Sequence, residues 1–292
     1  MDFKNAKELL ALCQEHNMKI SDVMLAREVA LGEADEAAVL ARLSGSLEIM
    51  KNAAHGPISS PVKSLGGLIG GEGKKITDAA ARGQVPVLCG EPLTKAIAYA
   101  MAVLEVNGTM GLIVAAPTAG SAGVMPGVLI GTCEHYGFGD DKMLQGLLNG
   151  SALGYLLMRN ASVSGAEAGC QAEVGAASAM AASALVELFG GTPEQCLSAA
   201  SMAMSSLLGL ACDPIAGLVE APCQSRNAIG VSNAFTSAQI ALAGVKHPIP
   251  FDEMVEAMYK VGLSLPFELR ETALGGCAAT PTGCELCKKC IG

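Results

Sequence analysis

The sequence has no tryptophan, aromatic residues make up only 3% of it, and charged residues 16%, against about 25% in soluble domains. With so few rings, its interior has to be built from aliphatic, methionine, alanine and glycine contacts. Basic residues are scarce: 19 Lys and Arg stand against 28 Asp and Glu, for a net charge of −9. They are spread thinly and form no stripe to neutralise phosphates, which argues against nucleic acid and anionic membranes as partners. A signal peptide is not expected either, because Asp2, Lys4, Lys7 and Glu8 sit where its apolar core would be, and a cytoplasmic protein is the expectation. Nor does any pair among His16, His55, His135 and His247 have the i, i+4 spacing of a zinc-binding helix, which disfavours a mononuclear zinc hydrolase.

What is present is a long apolar chain: 292 residues, 51% hydrophobic, with 35 Gly, 14 Met and 11 Cys. That length supports a large core, and the composition excludes intrinsic disorder. The mean hydropathy of +0.41 raises the question of a membrane span. The longest uncharged stretch, Val106 to Cys133, is long enough to cross a bilayer, but Pro117, Pro126 and six glycines interrupt it. A second uncharged run, Asn227 to Val245, carries Asn, Ser, Thr and Gln throughout. Both read as protein interior.

The apolar residues recur with helical rather than alternating spacing, and Ala, Leu and Met dominate them, which predicts an all-α fold. Helices are expected at Asn5–Glu15, Ser21–Val29, Asp35–Ala54, Pro92–Glu105, Asp141–Met158, Gly175–Leu188, Thr192–Leu208, Asn227–Val245 and Phe251–Val261. Thr192 opens a capping box, TPEQ, with Pro193 in the first turn. The short apolar runs Pro86–Leu88 and Gly111–Ala116 have no partners for a sheet and are read as buried loop or helix. Five glycines in Ser64–Gly73 (SLGGLIGGEG) predict a loop. The chain is read as one domain over residues 1–292, with a more polar helical part at 1–60 and a Cys-rich tail at 275–292.

Eleven cysteines in a reducing compartment point to metal or cluster chemistry rather than disulfides. Cys170 (EAGCQAEVG), Cys212 (ACDPIAG) and Cys223 (APCQSRN) each fall at a helix boundary, and Cys170 and Cys223 precede helix N-termini, where the dipole favours the thiolate that iron or zinc requires. Spacing alone equally allows them to be small buried hydrophobes. Cys284, Cys287 and Cys290 form CELCKKC, a ferredoxin-like or zinc-knuckle spacing that lacks the fourth cysteine; the run either completes a site elsewhere or is a mobile, redox-sensitive tail. Cys277 lies just upstream, its role open. Cys13, Cys89, Cys133 and Cys196 read as core. The small-residue segment Ala116–Gly127 (APTAGSAGVMPG) offers backbone N–H groups that suit a carboxylate or phosphate, or else packs helices closely.

Taken together, SLGGLIGGEG, APTAGSAGVMPG, EAGCQAEVGAASAMAA, ACDPIAGLVEAPCQSRNAIG and ALGGCAATPTG, in this order, resemble the α subunit of the bacterial iron-sulfur-dependent L-serine dehydratases of the two-chain type. The resemblance covers nearly the whole chain. It implies an all-α catalytic unit in which Cys170, Cys212 and Cys223 bind a 4Fe-4S cluster. One iron then lacks a protein ligand and acts as a Lewis acid on the hydroxyl of L-serine, with pyruvate and ammonia as products and no pyridoxal phosphate. Single-chain relatives carry a further domain with a Ser-His-Thr motif; none occurs here, so the resemblance implies that a separate β chain supplies that part and the general base. Cys284, Cys287 and Cys290 are candidates to cap the fourth iron. Thr118, Ser121, Arg226, Asn227, Ser64 and Gly67 are candidates to contact the charged groups of the substrate, by position and polarity. Two other readings stay open: a lyase that removes sulfide from L-cysteine, and an iron-sulfur protein of electron transfer or redox sensing.

Overall fold

The computed structural model describes residues 1–32, 35–83 and 85–290, and the backbone of residue 291. Residue 292, the end of the Cys-rich tail, lies outside the described residues. Among them there are thirteen α-helices and no strand, so the all-α expectation holds. The N-terminal part contains α1 (Ala6–His16), α2 (Ile20–Gly32) and α3 (Glu36–Ser59). Asn5 and Asp35 start α1 and α3 by accepting from the N–H groups of Glu8 and Ala38, the side-chain caps that orphaned first-turn donors require. After the glycine-rich loop come α4 (Glu72–Ala81), α5 (Glu91–Gly108), α6 (Val124–Tyr136), α7 (Asp140–Asn160) and the single turn α8 (Gly165–Ala168). The last five are α9 (Ala176–Leu188), α10 (Pro193–Ser205), α11 (Cys223–Leu242), α12 (Phe251–Ser264) and α13 (Pro281–Ile291). The predicted Thr192–Gln195 box caps α10.

At the centre stands α9, AASAMAASALVEL, with every one of its residues buried. A helix that is apolar all round belongs inside a protein, and this one is enclosed by α6, α7, α10 and α11. Small residues set the spacing. On α6 a Cβ at Gly131 would lie 2.8 Å from the Ala96 Cα of α5, so the two helices touch backbone to backbone there. This close packing explains how a chain without tryptophan buries its interior. Among the described residues no helix is long and apolar enough to cross a membrane.

Several details differ from expectation. The uncharged stretch contains α6, whose Pro126 lies in the first turn, where its missing N–H costs nothing. The glycine-rich segment is loop only to Gly71, since Glu72 and Gly73 already belong to α4. The tail is helical (α13), with proline at its first position and a cysteine every third residue. Pro86–Leu88 and Gly111–Leu112 are exposed loop rather than buried, and Cys89 is exposed rather than core. Cys13, Cys133 and Cys196 are buried, as expected.

Candidate active site

The three cysteines singled out by their loop settings are all buried and free of disulfides. Cys170 begins a π-type turn, Gln171–Gly175, that runs into α9. Such turns widen the helix locally and recur at functional sites. Gln171 fastens this turn to the next cysteine's segment: its N–H donates to the Leu210 carbonyl (3.1 Å), and its Oε1 accepts from the Gly209 N–H (2.9 Å). Cys212 follows, pinned on its other side by a bridge to residues 269–271, where its N–H donates to Leu269 O and its carbonyl accepts from Glu271 N–H. Cys223 is the first residue of α11, four residues earlier than the sequence suggested.

One carboxylate acts on all three thiols. Glu173, in the π-type turn, is 9% exposed; its Oε1 accepts from the Thr118 hydroxyl at 2.7 Å, and its Oε2 lies 3.7 Å from Cys212 Sγ. Burial first, and the charge of Glu173 next, push the Cys170 thiol up to about 12. Burial, then Cys170 and then Glu173 do the same to Cys223, also to about 12, and Cys212 rises furthest of the three. In the metal-free site, desolvation thus works against the thiolate form. Glu173 itself is raised, by burial and then by Glu271, against the pull of Thr118 and Cys212.

The counter-charge at the site is Arg226 on the first turn of α11. Its guanidinium lies 2.5 Å from Asp213 Oδ1 and donates to Ala211 O at 2.8 Å. Asp213 also accepts from the Cys277 N–H at 2.6 Å. Burial works to raise Asp213, but that N–H and Arg226 outweigh it and hold the carboxyl below its usual range.

The remaining candidates act on one another. Asn227, fully buried, accepts from Gly123 N–H and donates to Gly120 O and Cys223 O, tying the small-residue loop to α11. Ser121 shares a capping box with Thr118. Ser64 donates to Glu220 Oε2 (2.6 Å), and Glu220 also accepts from the N–H groups of Gly66 and Leu68, so a buried carboxylate clamps the glycine-rich loop three residues before Cys223. Gly67 lies at the turn of that loop with φ +75°. Of the tail thiols, Cys290 reaches Gly66 O (3.3 Å) and Cys284 reaches Ala278 O (3.7 Å), while Cys277 shares Asp213 and feels Arg226.

Sequence reasoning missed Glu173, Asp213 and Glu220. Each is a charged residue in an apolar run, EVGAAS, ACDPIAG and GLVEAPC, and that isolation is the signal that marks them. A cavity of about 840 Å³ lies elsewhere, behind Pro117, lined by Met24, Arg27, Met50, Tyr155 and Met180. Its Arg27 is spent on Asp2 and Glu28, so it offers no comparable chemistry.

Among the described residues no group of three or more His, Cys, Asp or Glu side chains is arranged around a single metal ion. Three buried thiols on separate segments suit a polynuclear cluster, in which each sulfur binds a different iron.

The chain is similar to known proteins over nearly its whole length. The family described as serine dehydratase alpha chain matches residues 15–278. A Bacillus subtilis protein named "Probable L-serine dehydratase, alpha chain" is 46% identical over 290 residues, 99% of this chain and 96% of its own. The "L-serine dehydratase, alpha chain" of Peptoniphilus asaccharolyticus is 45% identical over 95% of this chain and 94% of its own. The "L-serine dehydratase" of Helicobacter pylori is 37% identical over 96% of this chain, which covers only 62% of that longer protein.

Proposed function

The chain belongs to the serine dehydratase alpha chain family, and from that premise we propose that it is the α subunit of a lyase that converts L-serine to pyruvate and ammonia. The observation that carries this reading is that Cys170, Cys212 and Cys223, on three separate segments, are all buried and free, with the buried Glu173 in contact with Cys212 and near enough to act electrostatically on the other two. Those three thiolates would hold the 4Fe-4S cluster, which when bound supplies an iron with an open position as Lewis acid for the departing hydroxyl.

The protein's own residues supply the enclosure. Asn227 and the Thr118–Ser121 box hold the small-residue loop against α11, and Glu220 holds the glycine-rich loop beside Cys223, so water is restricted around the thiols. Arg226, on Asp213, faces Cys170 and offsets part of the negative charge that three thiolates bring. The α-proton must be taken by a base, which we assign to a separate β chain. The alpha-chain name of the relatives and the greater length of the Helicobacter enzyme support that second chain. In solution, the aminoacrylate released by loss of water tautomerises and hydrolyses to the two products.

The test is iron and labile sulfide content of anaerobically purified protein beside Cys170→Ser, Cys212→Ser, Cys223→Ser and Cys196→Ser. Loss in the first three but not in the last, with pyruvate released from L-serine once the β chain is added, is the expected result. A cluster that survives all three replacements, or a loaded α/β preparation that forms no pyruvate, overturns the reading.

A further inference from the structure

Glu173 has no role in the scheme above, yet it is the acidic group at the centre of the site. Its surroundings are built to admit the carboxylate closely. A Cβ at Gly120 would lie 2.8 Å from Oε1, and one at Gly165 would lie 2.5 Å from Oε2 and 2.9 Å from Cys212 Sγ. Any side chain at either position would displace the carboxylate from its place beside the thiol.

The donors available to it are unequal. Oε1 has a full hydrogen bond from the Thr118 hydroxyl. Oε2 has only the thiol of Cys212 at 3.7 Å, a weak donor, and a cysteine that binds iron as thiolate has no proton to give. No lysine, arginine or histidine among the described residues forms an ion pair with Glu173, because the nearby cation, Arg226, is committed to Asp213 and Ala211. Glu271 adds a further negative charge close by. A buried carboxyl with no cation beside it stays charged only when a positive partner arrives and otherwise keeps its proton, and among the described residues the fold provides no such partner.

We propose that this partner is the α-ammonium group of the substrate: Glu173 is a substrate-binding residue that recognises the amino end of the amino acid through Oε2, with Thr118 orienting the carboxylate through Oε1. This assignment rests on the lyase reading and adds to it the basis for selecting an amino acid over a hydroxy acid. An ammonium carries three donors and a full charge, so it satisfies Oε2 and offsets the charge of the pocket at once. A ligand of the same length without the amino group leaves both unsatisfied, and 3-hydroxypropionate differs from serine in that respect alone.

The experiment uses the cluster-loaded α/β enzyme, prepared anaerobically as wild type, Glu173→Gln and Thr118→Val. L-serine and 3-hydroxypropionate are each titrated, and binding is read from the change in the visible and electron paramagnetic resonance spectra of the cluster. In wild type, serine binds the more tightly. Glu173→Gln should lower that preference at least tenfold, by weakening serine while 3-hydroxypropionate stays within about twofold, a discrimination typical of a lost charge-assisted hydrogen bond. Thr118→Val should lower it several-fold in the same direction. Iron and sulfide content report whether the site is intact. Equal weakening of both ligands, or an unchanged preference, overturns the assignment. If Glu173→Gln fails to hold iron, Thr118→Val decides, and an unchanged preference there also overturns it. Should wild type bind serine with this discrimination yet release no pyruvate, the lyase reading falls while the role of Glu173 stands.

Discussion

Replacing Arg226 by methionine removes the cation of the site and keeps much of the side chain's apolar stem, so the variant isolates the charge. The Asp213 side chain is 4% exposed and that of Arg226 17%. Breaking a buried pair by deleting one partner costs about 3–5 kcal/mol, because the survivor stays charged and dry. The partial exposure of the guanidinium and the surviving Cys277 N–H bond to Asp213 place the expected loss at the low end, about 3 kcal/mol at pH 7. The sign of its pH dependence follows from Asp213. Its carboxyl is held below the ordinary value of 3.8, so the stability it contributes is present above that pH and is lost as pH falls through the lower folded value. Without Arg226 a main cause of that lowering is gone. The gap between variant and wild type should therefore be full at pH 7 and should narrow below about pH 4, as Asp213 takes up its proton. The assay is urea unfolding of the cluster-free proteins, followed by circular dichroism at helical wavelengths, since tryptophan fluorescence is not an option. A loss below about 1 kcal/mol at pH 7, or a gap that widens on acidification, would refute the reasoning.

Two further outcomes test how the site is held and how the core is packed. Asn227→Ala leaves Gly123 N–H and the carbonyls of Gly120 and Cys223 without their partner, and should cost about 2–4 kcal/mol; unfolding midpoints measure the loss, and limited proteolysis should find new cleavage between residues 116 and 123. Gly131→Ala should destabilise by about 1–3 kcal/mol through overpacking against α5, although an isolated helix would gain about 1 kcal/mol from the same change; a raised melting temperature would show that α5 and α6 do not touch there.

The helices were legible in the sequence where their signals are local. Asn5, Asp35 and the Thr192–Gln195 box cap their own first turns, and the i, i+3 and i+4 apolar spacing of α1, α3, α7 and α10 lies within one segment. The elements it concealed carry mixed signals. In α6 glycine and proline speak against a helix that burial nevertheless stabilises, and α13 hid behind a spacing that also suits metal ligands. The site was legible in part. Loop settings and the order of motifs singled out Cys170, Cys212 and Cys223, and the structure buries all three, with Glu173 in contact with Cys212. The polar candidates were chosen for chemical type, and type does not reveal what a side chain is already bonded to. Ser64 donates to Glu220, 156 residues away, and Asn227 bonds to Gly123 and Gly120, more than 100 residues away.

By itself the sequence determined the helical class, the small-residue interior and which cysteines stand out as candidates, because helix periodicity, capping and thiol chemistry are properties of one residue and its near neighbours. Only the tertiary structure decided that Glu173 stands beside the Cys212 thiol with no ion pair among the described residues, that Arg226 belongs to Asp213, and that Glu220 clamps the glycine-rich loop. Those are pairings between segments distant along the chain, and burial turns them into large energies by removing the water that would otherwise satisfy each group separately.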